Sequence, residues 1–159
     1  MNRVLKFVAI ALFAAVLSSP LFAQSNPLVG TWKLNTAKSK FDPGPAPQSL
    51  TRVVAADGDG VKYDFTGVDG SGKPMAYGFA VKFDDKDNPV SGSVPNGANT
   101  ISAKRIDANN YVATLKKGGK VVGVSKVSVS KDGKSTTVDI KGTNTAGVKT
   151  HDVQVYDKQ

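Results

Sequence analysis

Residues 61–83 decide the fold: Val61-Lys62-Tyr63-Asp64-Phe65-Thr66-Gly67-Val68, then Asp69-Gly70-Ser71-Gly72, then Met75-Ala76-Tyr77-Gly78-Phe79-Ala80-Val81-Lys82-Phe83. Successive side chains of a strand point to opposite faces. In the first run Val61, Tyr63 and Phe65 share one face, against Lys62, Asp64 and Thr66 on the other. In the second, Met75, Tyr77, Phe79, Val81 and Phe83 alternate with Ala76, Gly78, Ala80 and Lys82. The Asp-Gly-Ser-Gly step between them is turn chemistry. Paired as a hairpin, the two runs put five aromatics on one patch: Tyr63, Phe65, Tyr77, Phe79 and Phe83.

The same grammar extends both ways. Apolar-alternating runs cover Leu28 to Leu34, Leu50 to Ala56, Thr100 to Ile106, Tyr111 to Lys116, Val121 to Ser130, Thr136 to Lys141 and Val148 to Tyr156. Most are separated by turn signals such as Asp57-Gly58-Asp59-Gly60, Asp107-Ala108-Asn109-Asn110 and Lys131-Asp132-Gly133-Lys134. The polar loop from Asp84 to Asn99 has room for one very short strand near Val90. Pro43, Pro45 and Pro47 rule out a helix interior after the first run and predict an extended surface stretch. No sustained helical period appears beyond residue 23. Consecutive tight hairpins predict a meander, because parallel crossovers need about a dozen residues or more. Closure then removes the exposed edges. The expected fold is all-β, an antiparallel up-and-down barrel of 8–10 strands.

Composition points the same way. All 13 acidic residues among the 159 are aspartate, and glutamate, a strong helix former, is absent. The absence of cysteine excludes disulfides, thiol catalysis, Cys-ligated zinc and iron–sulfur clusters. A single histidine excludes a two-histidine metal site within one chain.

Residues 1–23 read as a secretory signal peptide. Arg3 and Lys6 precede the 11-residue apolar run Phe7 to Leu17, Ser18-Ser19-Pro20 breaks it, and Ala23 fits before the cut. That run is short of the roughly 20 residues a membrane-spanning helix needs. Cleavage would take 2 of the 21 basic residues and leave 136 residues carrying a net charge of +6. The expected organisation is therefore a leader, residues 1–23, and one domain, residues 24–159, in the periplasm or outside the cell.

The aromatic patch has two readings: a packed core, or the wall of a ligand cavity, since a small barrel either fills its interior or holds one ligand. Two polar residues sit where an inward face would carry them. Arg105 shares a phase with Ile101 and Ala103, and His151 with Val153 and Val155. A buried arginine needs an anionic partner, which an acidic ligand can supply through a bidentate grip. The bland alternatives are a strand-end arginine in water and a surface histidine. The ligand-site candidates are thus Tyr63, Phe65, Tyr77, Phe79, Arg105 and His151.

Gly30-Thr31-Trp32-Lys33-Leu34 resembles the Gly-x-Trp opening of lipocalins and fatty-acid-binding proteins, the calycin superfamily. The wider stretch Asn26 to Pro47, with Lys104 to Asp107 and Lys131 to Lys134, is similar to a group of small secreted bacterial lipocalin-like proteins with no established activity. The resemblance implies a tryptophan closing one end of an eight- or ten-stranded barrel. It does not carry over the ligand grip of fatty-acid-binding proteins. The Arg-x-Tyr pair of their last strand is missing, since Val153-Gln154-Val155-Tyr156 has no arginine two before the tyrosine. The proline-rich stretch also leaves no room for their helix pair.

Catalytic patterns fail on spacing. Gly133-Lys134-Ser135 lacks the phosphate-loop glycine five positions earlier, where Ser128 stands. Ser128-Val129-Ser130-Lys131 matches Ser-x-x-Lys without its partner motifs, and no Gly-x-Ser-x-Gly elbow is present. Asp84, Asp85, Asp87 and Asn88 break the EF-hand pattern and read as a solvated loop. Neither enzyme activity, a cofactor nor a metal is expected. The seventeen lysines beyond the leader are spread over nearly every strand and turn, which suits solubility and weak attraction to anionic surfaces rather than nucleic-acid readout. The expected function is binding of a small apolar or acidic ligand. The alternative is a structural or interaction domain of the cell envelope with a filled core.

Overall fold

A computed structural model describes residues 26–159; the leader expected at 1–23 lies outside them. Ten strands follow in order: β1 Gly30–Leu34, β2 Ser49–Asp57, β3 Gly60–Val68, β4 Pro74–Val81, β5 Asn88–Gly92, β6 Thr100–Arg105, β7 Asn110–Lys117, β8 Lys120–Val129, β9 Ser135–Thr143 and β10 Lys149–Lys158. Each pairs antiparallel with its sequence neighbours, and β10 pairs back onto β1, from Trp32↔Lys158 to Leu34↔Tyr156. The result is the closed up-and-down barrel that the hairpin grammar predicts. The very short strand expected near Val90 is β5. It is held to β4 from Tyr77↔Gly92 to Phe79↔Val90, and to β6 only at Asn88↔Ile101 and Pro89↔Thr100. Gly92 ends it at φ +79°, and a Cβ there would lie 2.3 Å from the Ala76 carbonyl oxygen, so only glycine fits.

Aspartate is the turn-former because its short side chain reaches its own backbone two residues on. Asp69 Oδ1 accepts from Ser71 N–H at 2.8 Å and Lys73 N–H at 2.9 Å. Asp107 Oδ1 accepts from Asn109 N–H at 2.8 Å and Asn110 N–H at 2.9 Å. The Asn110 side chain, followed by the Asn109 backbone, holds the Asp107 carboxyl below the usual carboxylate range. Glutamate, one methylene longer, does not make these turns as well, which gives a physical reason for the skewed acid count.

Between β1 and β2 stands a single three-residue 3-10 turn, Thr36–Lys38, and no helix pair. The chain then runs beside β10: Lys40 bridges Val153, and His151 N–H donates to the Asp42 carbonyl at 2.7 Å.

One end of the barrel is sealed. Trp32 is fully buried, and its indole N–H donates to the Leu28 carbonyl at 2.8 Å. The Lys158 amine lies 5.1 Å from its ring centroid and the Arg52 guanidinium 5.4 Å. Leu28, Val54, Val61 and Tyr63 pack beneath, all nearly inaccessible.

Candidate functional site

Above the sealed end the interior opens into a cavity of about 180 Å3. One wall is the β3–β4 hairpin. In-register pairing sets Tyr63 opposite Phe79 and Phe65 opposite Tyr77. Phe65 and Tyr77 stack at 4.4 Å and 13°; Tyr63 and Phe79 lie 4.9 Å apart at 32°. All four line the cavity. Phe83, the fifth aromatic of the expected patch, does not. The backbone turns there, at φ +60°, just beyond the end of β4, and its ring meets Tyr111 edge-on at 5.2 Å.

The opposite wall is aliphatic, with Ile101, Leu115, Val127, Val138 and Ile140. The third side is β10, and its inward face is the opposite of the one that His151, Val153 and Val155 predict. Thr150, Asp152, Gln154 and Tyr156 line the cavity, while His151 is exposed and Val153 and Val155 look outward. Register explains the inversion. Gln154 lies opposite Val138 and Asp152 opposite Ile140. Directly opposed residues share a face, and Val138 and Ile140 face in. His151 therefore points out, 3.2 Å from Asp139, and not into the site.

Arg105 is also outside. Its phase matches Ile101 and Ala103, but β6 ends at Arg105 itself. Its guanidinium lies 4.2 Å from the Phe83 ring centroid and its Nη1 is 3.5 Å from the Ala108 carbonyl, at the exposed end of the strand.

The arginine inside is Arg52, which is not among the residues the sequence singles out. Leu50, Arg52 and Val54 occupy alternate positions of β2, all buried, and Arg52 is 2% exposed. The signal was present as Leu-x-Arg-x-Val, an arginine in the apolar phase of a mid-chain strand. Its Cζ is 4.4 Å from the Tyr156 ring centroid and 5.9 Å from that of Tyr63. Among the described residues no carboxylate pairs with it, and its Nε and Nη2 have no hydrogen-bond partner. A desolvated, unpaired charge is costly, on the order of several kcal/mol, and such a group in a cavity is a functional-site candidate.

Burial favours the neutral form of the tyrosines around it. Burial pushes Tyr63, Tyr77 and Tyr111 up from the ordinary phenol value, and Tyr156 up to about 12 against the opposing pull of Arg52. Tyr63 and Tyr111 share a hydroxyl–hydroxyl hydrogen bond at 2.8 Å, and Tyr156 donates to Gln154 Oε1 at 2.7 Å. The cavity thus holds two charged groups, Arg52 at the sealed end and Asp152 on β10. Desolvation raises the Asp152 carboxyl, partly offset by the hydrogen bond from the Asp42 backbone N–H at 3.3 Å. Chemically this is an aromatic and aliphatic pocket with a cation at its base.

A ten-stranded, up-and-down barrel around a lined lumen is the class that fold and site define. No protein-family model matches the sequence, and no curated protein does either. Among solved structures the chain is similar to the zebrafish ileal bile acid-binding protein, described in complex with cholic acid. The TM-score is 0.48 at 11% identity, over 84% of this chain and 99% of that one.

Proposed function

We propose that the barrel is a non-catalytic binding protein, exported to the periplasm or beyond, that takes a small apolar or acidic molecule into its lumen. The cavity carries this reading: four aromatic rings on one wall, aliphatic side chains facing them, and a buried cation at the base. A filled core, the alternative from sequence, would leave no such space. Size limits the ligand. A cavity of about 180 Å3 is comparable to the roughly 150 Å3 apolar cavity that holds benzene. It suits one ring or a short chain, with anything longer trailing through the mouth. Binding energy comes from apolar surface removed from water, about 25 cal/mol per Å2, and orientation from the few polar groups.

The test uses protein recovered from the exported fraction, with a measured mass expected to lack residues 1–23. N-phenyl-1-naphthylamine, a neutral apolar fluorophore, should bind saturably at one site, its phenyl ring in the lumen and its naphthalene in the mouth. Tyr77→Ala and Phe79→Ala should each weaken it about tenfold or more while the barrel stays folded, as expected for the loss of a stacked aromatic contact and its buried area. Strictly linear, non-saturating fluorescence with every apolar probe would sink the proposal.

A further inference from the structure

We infer that the lumen is specific for a monocarboxylate that enters head first and seats its carboxylate on Arg52. This rests on the binding reading above and names its ligand class. Nε and Nη2 flank one edge of the guanidinium, and both are buried without a hydrogen-bond partner. That edge is a fork of parallel N–H donors, and its geometric complement is the pair of oxygens of a carboxylate. Arg52 itself lines the cavity. As the side chains stand the fork is covered, so ligand entry turns the Arg52 head toward the lumen. The rings of Tyr156 and Trp32 lie 4.4 and 5.4 Å from its Cζ.

The rest of the cavity fixes the remaining chemistry. With neutral tyrosines and aliphatic walls, the body of the ligand is apolar. Arg52 is the one cation in the lining, and the Asp152 carboxylate stands on β10 among the groups lining the lumen. A second negative charge on the ligand would meet no cation and would face Asp152. One charge and one apolar body of single-ring or short-chain size describe an aryl-alkanoate or a short fatty acid.

The experiment compares isosteres that differ only at the head. Binding of 3-phenylpropanoate and 3-phenylpropan-1-ol is followed through Trp32, the chain's only tryptophan, which lies 5.4 Å from the group the acid would contact. The acid should bind at least tenfold tighter than the alcohol, and phenylsuccinate, with two carboxylates, weaker than the acid. Arg52→Met should remove the acid's advantage, so that acid and alcohol bind alike. Arg52→Lys, which keeps the charge and loses the fork, should fall between. Equal binding of acid and alcohol to the wild-type chain overturns the inference while leaving the binding reading intact. Failure of both, together with failure of the neutral fluorophore, overturns the binding reading itself. If Arg52→Met does not fold, the wild-type pair and Arg52→Lys decide alone, and an Arg52→Lys protein that binds acid as well as wild type counts against the fork.

Discussion

Arg52 and Arg105 are the same chemistry in two places. Each occupies the inward phase of its strand, and each rests on aromatic rings, at 4.4 and 4.2 Å. Arg105 is the last residue of β6 and reaches water; Arg52 lies mid-strand in β2 and is 2% exposed. Phase therefore sets the direction of a side chain, while distance from the strand end decides whether that direction leads into the barrel. The energetic consequence is large. An exposed guanidinium on a ring gains about 0.5–1 kcal/mol. A buried one without an anion carries a desolvation cost of several kcal/mol that its rings only partly offset.

The largest expected effect separates the two by sign. Arg52→Met should leave the barrel at least as stable and raise it by about 1–4 kcal/mol, the gain seen when buried charges give way to apolar side chains. Arg105→Met should cost under about 1 kcal/mol. Urea unfolding with an unchanged slope reads both. If Arg52→Met is instead the destabilised variant by more than about 1 kcal/mol, the guanidinium is a structural member of its aromatic cage.

A smaller effect sharpens the contrast from the other charged group in the lumen. Desolvation raises the Asp152 carboxyl in the folded state. Its ionisation therefore opposes folding at neutral pH, and that opposition disappears as pH falls through the raised value to below the unfolded one near 3.9. Asp152→Asn should accordingly stabilise the barrel by about half a kcal/mol or less at pH 7, given solvent screening, and by nothing at pH 3. A stabilisation that persists unchanged at pH 3 would trace to packing and not to charge.

The sequence carried the barrel because hairpin chemistry is local. Asp-Gly turns and period-2 runs lie within ten to fifteen residues of one another, and closure follows from avoiding edges. The aromatic wall was legible for the same reason: Tyr63, Phe65, Tyr77 and Phe79 belong to one hairpin. The polar half of the site was not. On β10 two valines suggested the inward phase, but face is assigned by what the neighbouring strand presents, and Val138 and Ile140 across from Gln154 and Asp152 set it the other way. Thus His151 and the valines turned out and Asp152 turned in. On β6 the phase was right and the burial wrong, because the strand stops at Arg105. Arg52 was missed because one arginine in an apolar run looks like an exception until three rings from β1, β3 and β10 close around it.

The two arginines also supply the most direct test. Arg52 and Arg105 are the only arginines among the described residues, so their Nε–H groups give two separable signals in a 15N-labelled protein. On titration with 3-phenylpropanoate, the Arg52 Nε–H signal should shift downfield and saturate at one equivalent, while that of Arg105 stays in place. A shift at Arg105 with Arg52 unmoved, or no saturating shift at either, would contradict the assignment of Arg52 as the carboxylate seat.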